Sequence, residues 1–185
     1  MARAARKAHR LDRVVFLPTG NPPHKSSELA PAEARLAMVR LAVEGHEGFE
    51  VNDLEVRRAE TSYTYQTLEA FRRFEPEAEL FFIIGADSLR DLPSWRRPER
   101  ILALSRLITI NRPGIAVRLD VSNLPSCPAE LVARIEDDRV NMLPVDIASS
   151  DVREQLRLGH PADHLLPARV LRWIRQRGLF GTAGR

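Results

Sequence analysis

The 185 residues carry 28 Lys and Arg against 25 Asp and Glu, a formal net charge of +3, with 44% hydrophobic residues and one cysteine. This is the composition of an ordinary globular chain of one-domain size. The single cysteine excludes an intrachain disulfide or a multi-cysteine zinc centre. Scattered arginines argue against a nucleic-acid surface, and no apolar run approaches the roughly 20 residues of a membrane-spanning helix.

Strand-like and helix-like patterns alternate from the start. Met1 to Arg10 is basic and lacks an apolar stretch, so it is no signal peptide, and a cytoplasmic location is expected. Ala2–Arg10 reads as the last turns of a helix. Val14–Leu17 is an apolar run of the kind a fully buried parallel strand shows. Pro31–Val43 is a predicted helix with Leu36, Val39 and Val43 on one face, and Phe49–Val56 reads as extended. Thr64 stands as the N-cap of a helix that ends at Pro76. Leu80–Ile84 is a predicted central strand closed by Gly85, and a helix follows near Pro98–Leu104. Leu107–Ile110 is the next strand, closed by Arg112-Pro113-Gly114. Residues 115–139 are charged and irregular, with a helix at Pro128–Ile135. Asn141–Val145 is a late strand. Ser150–Leu158 is a helix stopped by Gly159, and Pro167–Arg177 is the last, with Gly178 after it. Strands alternating with helices imply βαβ units and a parallel sheet.

In such a sheet ligands sit beyond the carboxyl ends of the strands. Four segments fall there: Pro18–Lys25, Gly85–Ser88, Arg112–Gly114 and Ile147–Arg153. In the first, a Gly turn and two prolines lead to His24 and Lys25, one of only two lysines in the chain. A phosphate-bearing ligand is the natural expectation. Asp87 could accept hydrogen bonds from ribose hydroxyls, although on the tetrapeptide alone it, or Ser88, reads first as a helix cap. Ser149, Ser150 and Arg153 open a helix where a phosphate could sit, with a plain Ser cap and a surface Arg as the commoner arrangement. Ser62-Tyr63-Thr64 marks a helix start that could hold a carboxylate, or a plain Thr cap. Trp95 could stack on a flat ring or pack in the core. Cys127 reads as a bystander thiol, and His9 and His46 as surface residues.

Together these segments resemble the bacterial nicotinate-nucleotide adenylyltransferases of the nucleotidyltransferase superfamily. The matching pieces are Phe16–Lys25, Arg35-Leu36-Ala37-Met38, Ser62-Tyr63-Thr64 with Thr67-Leu68, Phe82–Ser88, and Leu92-Pro93 with Trp95. Arg112-Pro113-Gly114, Ile147–Arg153 and Gly178-Leu179-Phe180 complete the set in order. The resemblance implies an α/β, Rossmann-like nucleotidyltransferase fold. Residues 1–185 would form one domain, with 145–185 a C-terminal helical part closing the ATP site. It implies adenylyl transfer from ATP to nicotinate mononucleotide, with Mg²⁺ assisting, giving nicotinate adenine dinucleotide and pyrophosphate in NAD biosynthesis. His24 and Lys25 would approach the phosphates. Gly85 and Asp87 would contact ribose, and Ser149, Ser150 and Arg153 would bind ATP phosphates. Ser62, Tyr63, Thr64 and Trp95 would hold the nicotinate nucleotide. Nucleic acid and membrane are not expected partners; a homo-oligomer is left open.

Two departures stand out. The family's last motif is I-S-S-T-x-I-R, where this chain has Ala148 for the first Ser and Ser150 for Thr. The family also opens on a Gly-rich strand end and an H-x-G-H motif whose histidines stabilise the pentavalent transition state. This sequence has no such motif: His46-Glu47-Gly48 is followed by Phe49, after a helix. The expectation is a truncated first βα unit, from a misassigned start or a fragment. A non-catalytic nucleotide-binding relative stands as an alternative. So does an adenylyltransferase for another acceptor such as nicotinamide mononucleotide, which Ser62–Thr64 with Trp95 disfavours.

Overall fold

The computed structural model describes residues 1–22, 29–111, 129–142 and 147–182. The chain is an α/β protein, divided into two compact units: Met1–Val14 with Ser62–Pro144, and Val15–Thr61 with Val145–Arg185.

In the first unit, β3 (Phe81–Gly85), β4 (Arg106–Asn111) and β5 (Arg139–Asn141) form a parallel sheet in that order. The register runs from Phe81 opposite Arg106 to Gly85 opposite Ile110, and from Thr109 opposite Arg139 to Asn111 opposite Asn141. Side chains alternate between faces. Phe82, Ile84 and Leu107 pack with Leu68 of α3 (Thr64–Phe74), Ile101, Leu102 and Leu104 of α5 (Pro98–Leu104), and Ile135 of α6 (Ala129–Asp137). Phe81, Ile83, Ile108 and Ile110 turn the other way, onto Ala5 of α1 (Ala2–Ala8) and Val140. Burial on both faces explains why β3 and β4 read as continuous apolar runs.

Between β3 and α5 lie a short helix, α4 (Ala86–Asp91), which starts before the expected cap at Asp87 or Ser88, and a 3₁₀ turn, Leu92–Ser94, that was not anticipated. Six residues are too few to show a helical period, yet Leu89 and Leu92 are both fully buried there. The late strand starts at Arg139 rather than Asn141, and residues 143–146 lie outside the described part.

The amino-terminal edge of this sheet carries a buried ion pair. Arg106 donates from Nε to Asp138 Oδ2 at 2.9 Å and from Nη2 to Asp138 Oδ1 at 2.5 Å. Its Nη1 donates to Glu79 at 3.0 Å, and the guanidinium lies 5.0 Å over the Phe81 ring. Asp138, then Glu79, hold the guanidinium proton more tightly than in a free arginine. His9 was expected at the surface. Its side chain is instead largely covered, with Nδ1 3.7 Å from Asp138 Oδ1 and its ring against Phe81.

The middle of β4 holds a polar core residue without compensation. Thr109 is fully buried and its hydroxyl has no partner among the described residues. An unsatisfied buried donor costs about 1–3 kcal/mol. T109V is therefore expected to raise the melting temperature by several degrees. An unchanged or lower value would mean that the hydroxyl bonds a buried water.

The second unit takes all but the first residue of β1 (Val14–Phe16), which forms a two-stranded sheet with β2 (Phe49–Val51). β2 is shorter than the expected 49–56. Asn52 Oδ1 accepts from the Leu54 N–H at 2.9 Å, and the chain turns, with the Arg57 N–H on Asp53 O at 3.0 Å. Here α2 (Ala32–Val43), α7 (Ser149–Leu158) and α8 (Ala168–Gln176) share a core of Val152, Leu156, Val170, Leu171 and Ile174, with Met38 and Leu41 against it. Pro167 is the N-cap of α8, and Gly178 follows the helix in the left-handed region at φ +61°. Among the described residues no helix is long and apolar enough to cross a membrane.

Candidate active site

In the first unit, Gly85 ends β3 and is the N-cap of α4. It replaces Asp87 and Ser88 in the capping role expected of them. Its φ of −80° suits any residue, and a Cβ built there meets no atom within 4 Å. Neither backbone conformation nor packing therefore demands glycine. What glycine leaves is open space at the carboxyl end of β3, which lies at the edge of the described three-stranded sheet rather than at its centre as the sequence suggests. Asp87 sits two residues on, exposed, with Oδ1 3.1 Å from Arg90 Nη2.

The segment before α3 differs from expectation at its cap. Tyr63, in extended conformation, is the N-cap, and Thr64 is the first helical residue. Gln66 Oε1 reaches back to accept from the Tyr63 N–H at 3.4 Å. Ser62 is buried and its hydroxyl has no partner among the described residues. The Tyr63 and Tyr65 rings stack at 6.2 Å. Trp95 follows the 3₁₀ turn, its N–H on Leu92 O at 3.0 Å, and meets Phe82 of β3 edge-on at 6.1 Å. Trp95 packs against the core and stays partly exposed. Tyr65, Phe82 and Trp95 all rest on the same buried cluster.

In the second unit, His24, Lys25 and their immediate neighbours lie outside the described residues, but both flanks are described. Arg35 of α2 donates from Nη2 to Gly20 O at 3.0 Å and from Nε to Ala30 O at 3.1 Å. One guanidinium thus ties both ends of the segment carrying His24 and Lys25. Sequence reading quotes Arg35 without finding this role, because its acceptors are carbonyls that no side chain advertises. Asp53 is held between Arg57 and Arg40. The hydrogen bond from Arg57, and then both positive charges, keep its carboxyl below the usual range.

At the start of α7, Ala148 takes the N-cap position expected of a serine. Ser149 and Ser150 are the first two helical residues, both exposed. Ser150 Oγ donates to Asp151 Oδ1 at 2.9 Å, and Arg153 Nη1 to Ser149 Oγ at 3.4 Å. Asp151 thus points back along the helix edge at Ser150. Arg112-Pro113-Gly114 and Cys127 lie outside the described residues, and among those described no group of three or more His, Cys, Asp or Glu could hold a metal ion.

Comparison with known proteins decides the family. Residues 1–155 match the cytidylyltransferase-like family. A protein of Roseiflexus sp. (strain RS-1) is 39% identical over 183 residues, 97% of this chain and 88% of its own length. One of Clostridium tetani (strain Massachusetts / E88) is 32% identical over 172 residues, 92% of this chain and 85% of its own length. Both are named "Probable nicotinate-nucleotide adenylyltransferase". The chain belongs to the nicotinate-nucleotide adenylyltransferases of the cytidylyltransferase-like family. The fold of that family is also the one solved structures share with it. Plasmodium falciparum nicotinic acid mononucleotide adenylyltransferase complexed with NaAD aligns with a TM-score of 0.68 at 17% identity, over 95% of this chain and 85% of that one. The same enzyme complexed with APC gives 0.68 at 16% identity, over 99% and 90%.

Proposed function

We propose that this protein transfers the adenylyl group of ATP to nicotinate mononucleotide, giving nicotinate adenine dinucleotide and pyrophosphate, as a step in NAD biosynthesis. The observation that carries this is family membership across nearly the whole chain. A phosphate oxygen of the mononucleotide attacks the α-phosphorus of ATP. The bond from that phosphorus to the α,β-bridging oxygen breaks, and pyrophosphate leaves with the electron pair. No protein nucleophile is needed, so the protein's work is positioning and charge stabilisation.

In the first unit the acceptor takes the Ser62–Thr64 and Trp95 face. The unpartnered Ser62 hydroxyl and the first-turn N–H groups of α3 supply donors, and Trp95 an aromatic face. Gly85 leaves room for close approach of a ribose, and Asp87 offers a carboxylate to its hydroxyls. In the second unit, Ser149, Ser150 and Arg153 hold phosphate at the start of α7, and Arg35 sets the flanks of His24 and Lys25. Nucleotidyltransferases take ATP with a divalent metal, and we assign Mg²⁺. The reading places the protein in the cytoplasm, where ATP is made.

The test follows pyrophosphate and dinucleotide formation with ATP, nicotinate mononucleotide and Mg²⁺. It uses this chain and a version carrying the family's H-x-G-H segment ahead of Ala2. Product that requires both nucleotides is expected; none from either version would overturn the proposal. W95A is expected to weaken mononucleotide binding about tenfold, the worth of one good aromatic contact, and ATP binding far less. Calorimetric titration of each nucleotide checks this, and equal losses for both would assign Trp95 to the core alone.

A further inference from the structure

We infer that Arg97 sets the charge preference of the acceptor site, its guanidinium pairing with the ring carboxylate that distinguishes nicotinate from nicotinamide. The inference rests on the acceptor lying against Ser62–Thr64 and Trp95. Arg97 is a non-glycine residue held in the left-handed region, φ +54° and ψ +58°, immediately before α5. That conformation is unfavourable for an L-residue and persists only where its surroundings impose it. Its carbonyl accepts from the Arg100 and Ile101 N–H groups at 3.0 and 3.3 Å, which fixes the backbone. Its guanidinium carbon lies 5.3 Å over the ring of Tyr65, which fixes the charge.

What that cation lacks is a counter-ion. Among the described residues its guanidinium has no hydrogen bond and no ion pair. Among the described residues Asp87 and Asp91 pair with Arg90, and Glu69 with Arg100. Tyr65 stacks on Tyr63, the N-cap beside the buried, unpartnered Ser62 hydroxyl, and shares its cluster with Trp95. An exposed guanidinium laid over Tyr65, on a strained backbone and unpaired among the described residues, beside the Ser62 hydroxyl and an aromatic face, is arranged for a planar anion attached to a ring. A planar fork also matches a carboxylate better than an ammonium does. Arg96, one residue earlier and exposed, has no such ring contact and serves as the control.

The experiment titrates nicotinate mononucleotide and nicotinamide mononucleotide into the full chain and its R97Q, R97K, R97G and R96Q variants. R97Q is expected to weaken nicotinate mononucleotide about tenfold and nicotinamide mononucleotide by less than about twofold. R97K should keep part of the preference, and R96Q all of it. R97G removes both charge and backbone strain, so it should melt no lower than the wild type while losing the preference. This keeps the test open if R97Q folds poorly. Wild type preferring nicotinate while R97Q and R97G keep the same ratio would overturn the role of Arg97 and leave the acceptor site standing. Wild type binding neither mononucleotide, or both equally, would remove the acceptor reading and this one with it.

Discussion

Replacing Gly20 by alanine is expected to cut adenylyl transfer by about two orders of magnitude, the scale that a misplacement of about 1 Å produces. A Cβ on Gly20 would stand 1.9 Å from Glu55 O, 2.8 Å from Glu55 C and 3.1 Å from Val56 Cα. All three atoms are backbone, so no side chain can swing aside. Either the turn at Glu55–Val56 retreats or the chain at Gly20 moves. Gly20 O is the acceptor that Arg35 uses to tie down the flank of the segment carrying His24 and Lys25, so moving it breaks that tie. The overpacking itself should cost about 1–3 kcal/mol of stability. Rate and melting temperature measured on G20A and R35A check this. G20A with wild-type rate and a normal melt would show that the close approach of Gly20 to Glu55 is not a constraint in solution.

R106M is expected to produce the largest loss of stability, about 3 kcal/mol, at the low end for a broken buried ion pair because Arg106 is itself partly exposed. The methionine keeps much of the stem that packs on Phe81 but strands Asp138, whose side chain is only 2% exposed. His9, with Nδ1 3.7 Å away, is then its remaining partner among the described pairs. A melt lowered by roughly 6–12 °C follows for a chain of this size. Adding D138N to R106M should recover most of it, since the buried charge is then gone. Equal melts for R106M and the double variant would show that the cost lies in lost packing on Phe81 rather than in the stranded carboxylate.

Much of the fold is legible in the sequence where one physical signal acts alone. β3 and β4 are buried on both faces, so their runs are unbroken. α8 is framed by Pro167 and Gly178, and α5 opens on Pro98 at the predicted residue. The misreadings arise where local polar chemistry outweighs pattern. Leu54 and Val56 alternate as a strand would, but the Asn52 side chain starts a turn between them and the strand. Thr64 looks like a cap, yet Tyr63 takes the extended conformation and Gln66 closes it. At the site, hydroxyls and cations are visible as letters. The burial of Ser62, the space beside Gly85 and the clamp of Arg35 on two carbonyls are not, because each depends on what the rest of the chain brings near.

The most direct test of the central claim offers the protein ATP and Mg²⁺ with nicotinate and nicotinamide mononucleotides together, and identifies the dinucleotide product by mass. A site that pairs a ring carboxylate with oriented donors rejects the neutral amide, whose N–H groups meet donors instead of supplying acceptors. The account predicts that nicotinate adenine dinucleotide dominates, with pyrophosphate formed in step. Equal amounts of the two dinucleotides, or nicotinamide adenine dinucleotide in excess, would contradict it.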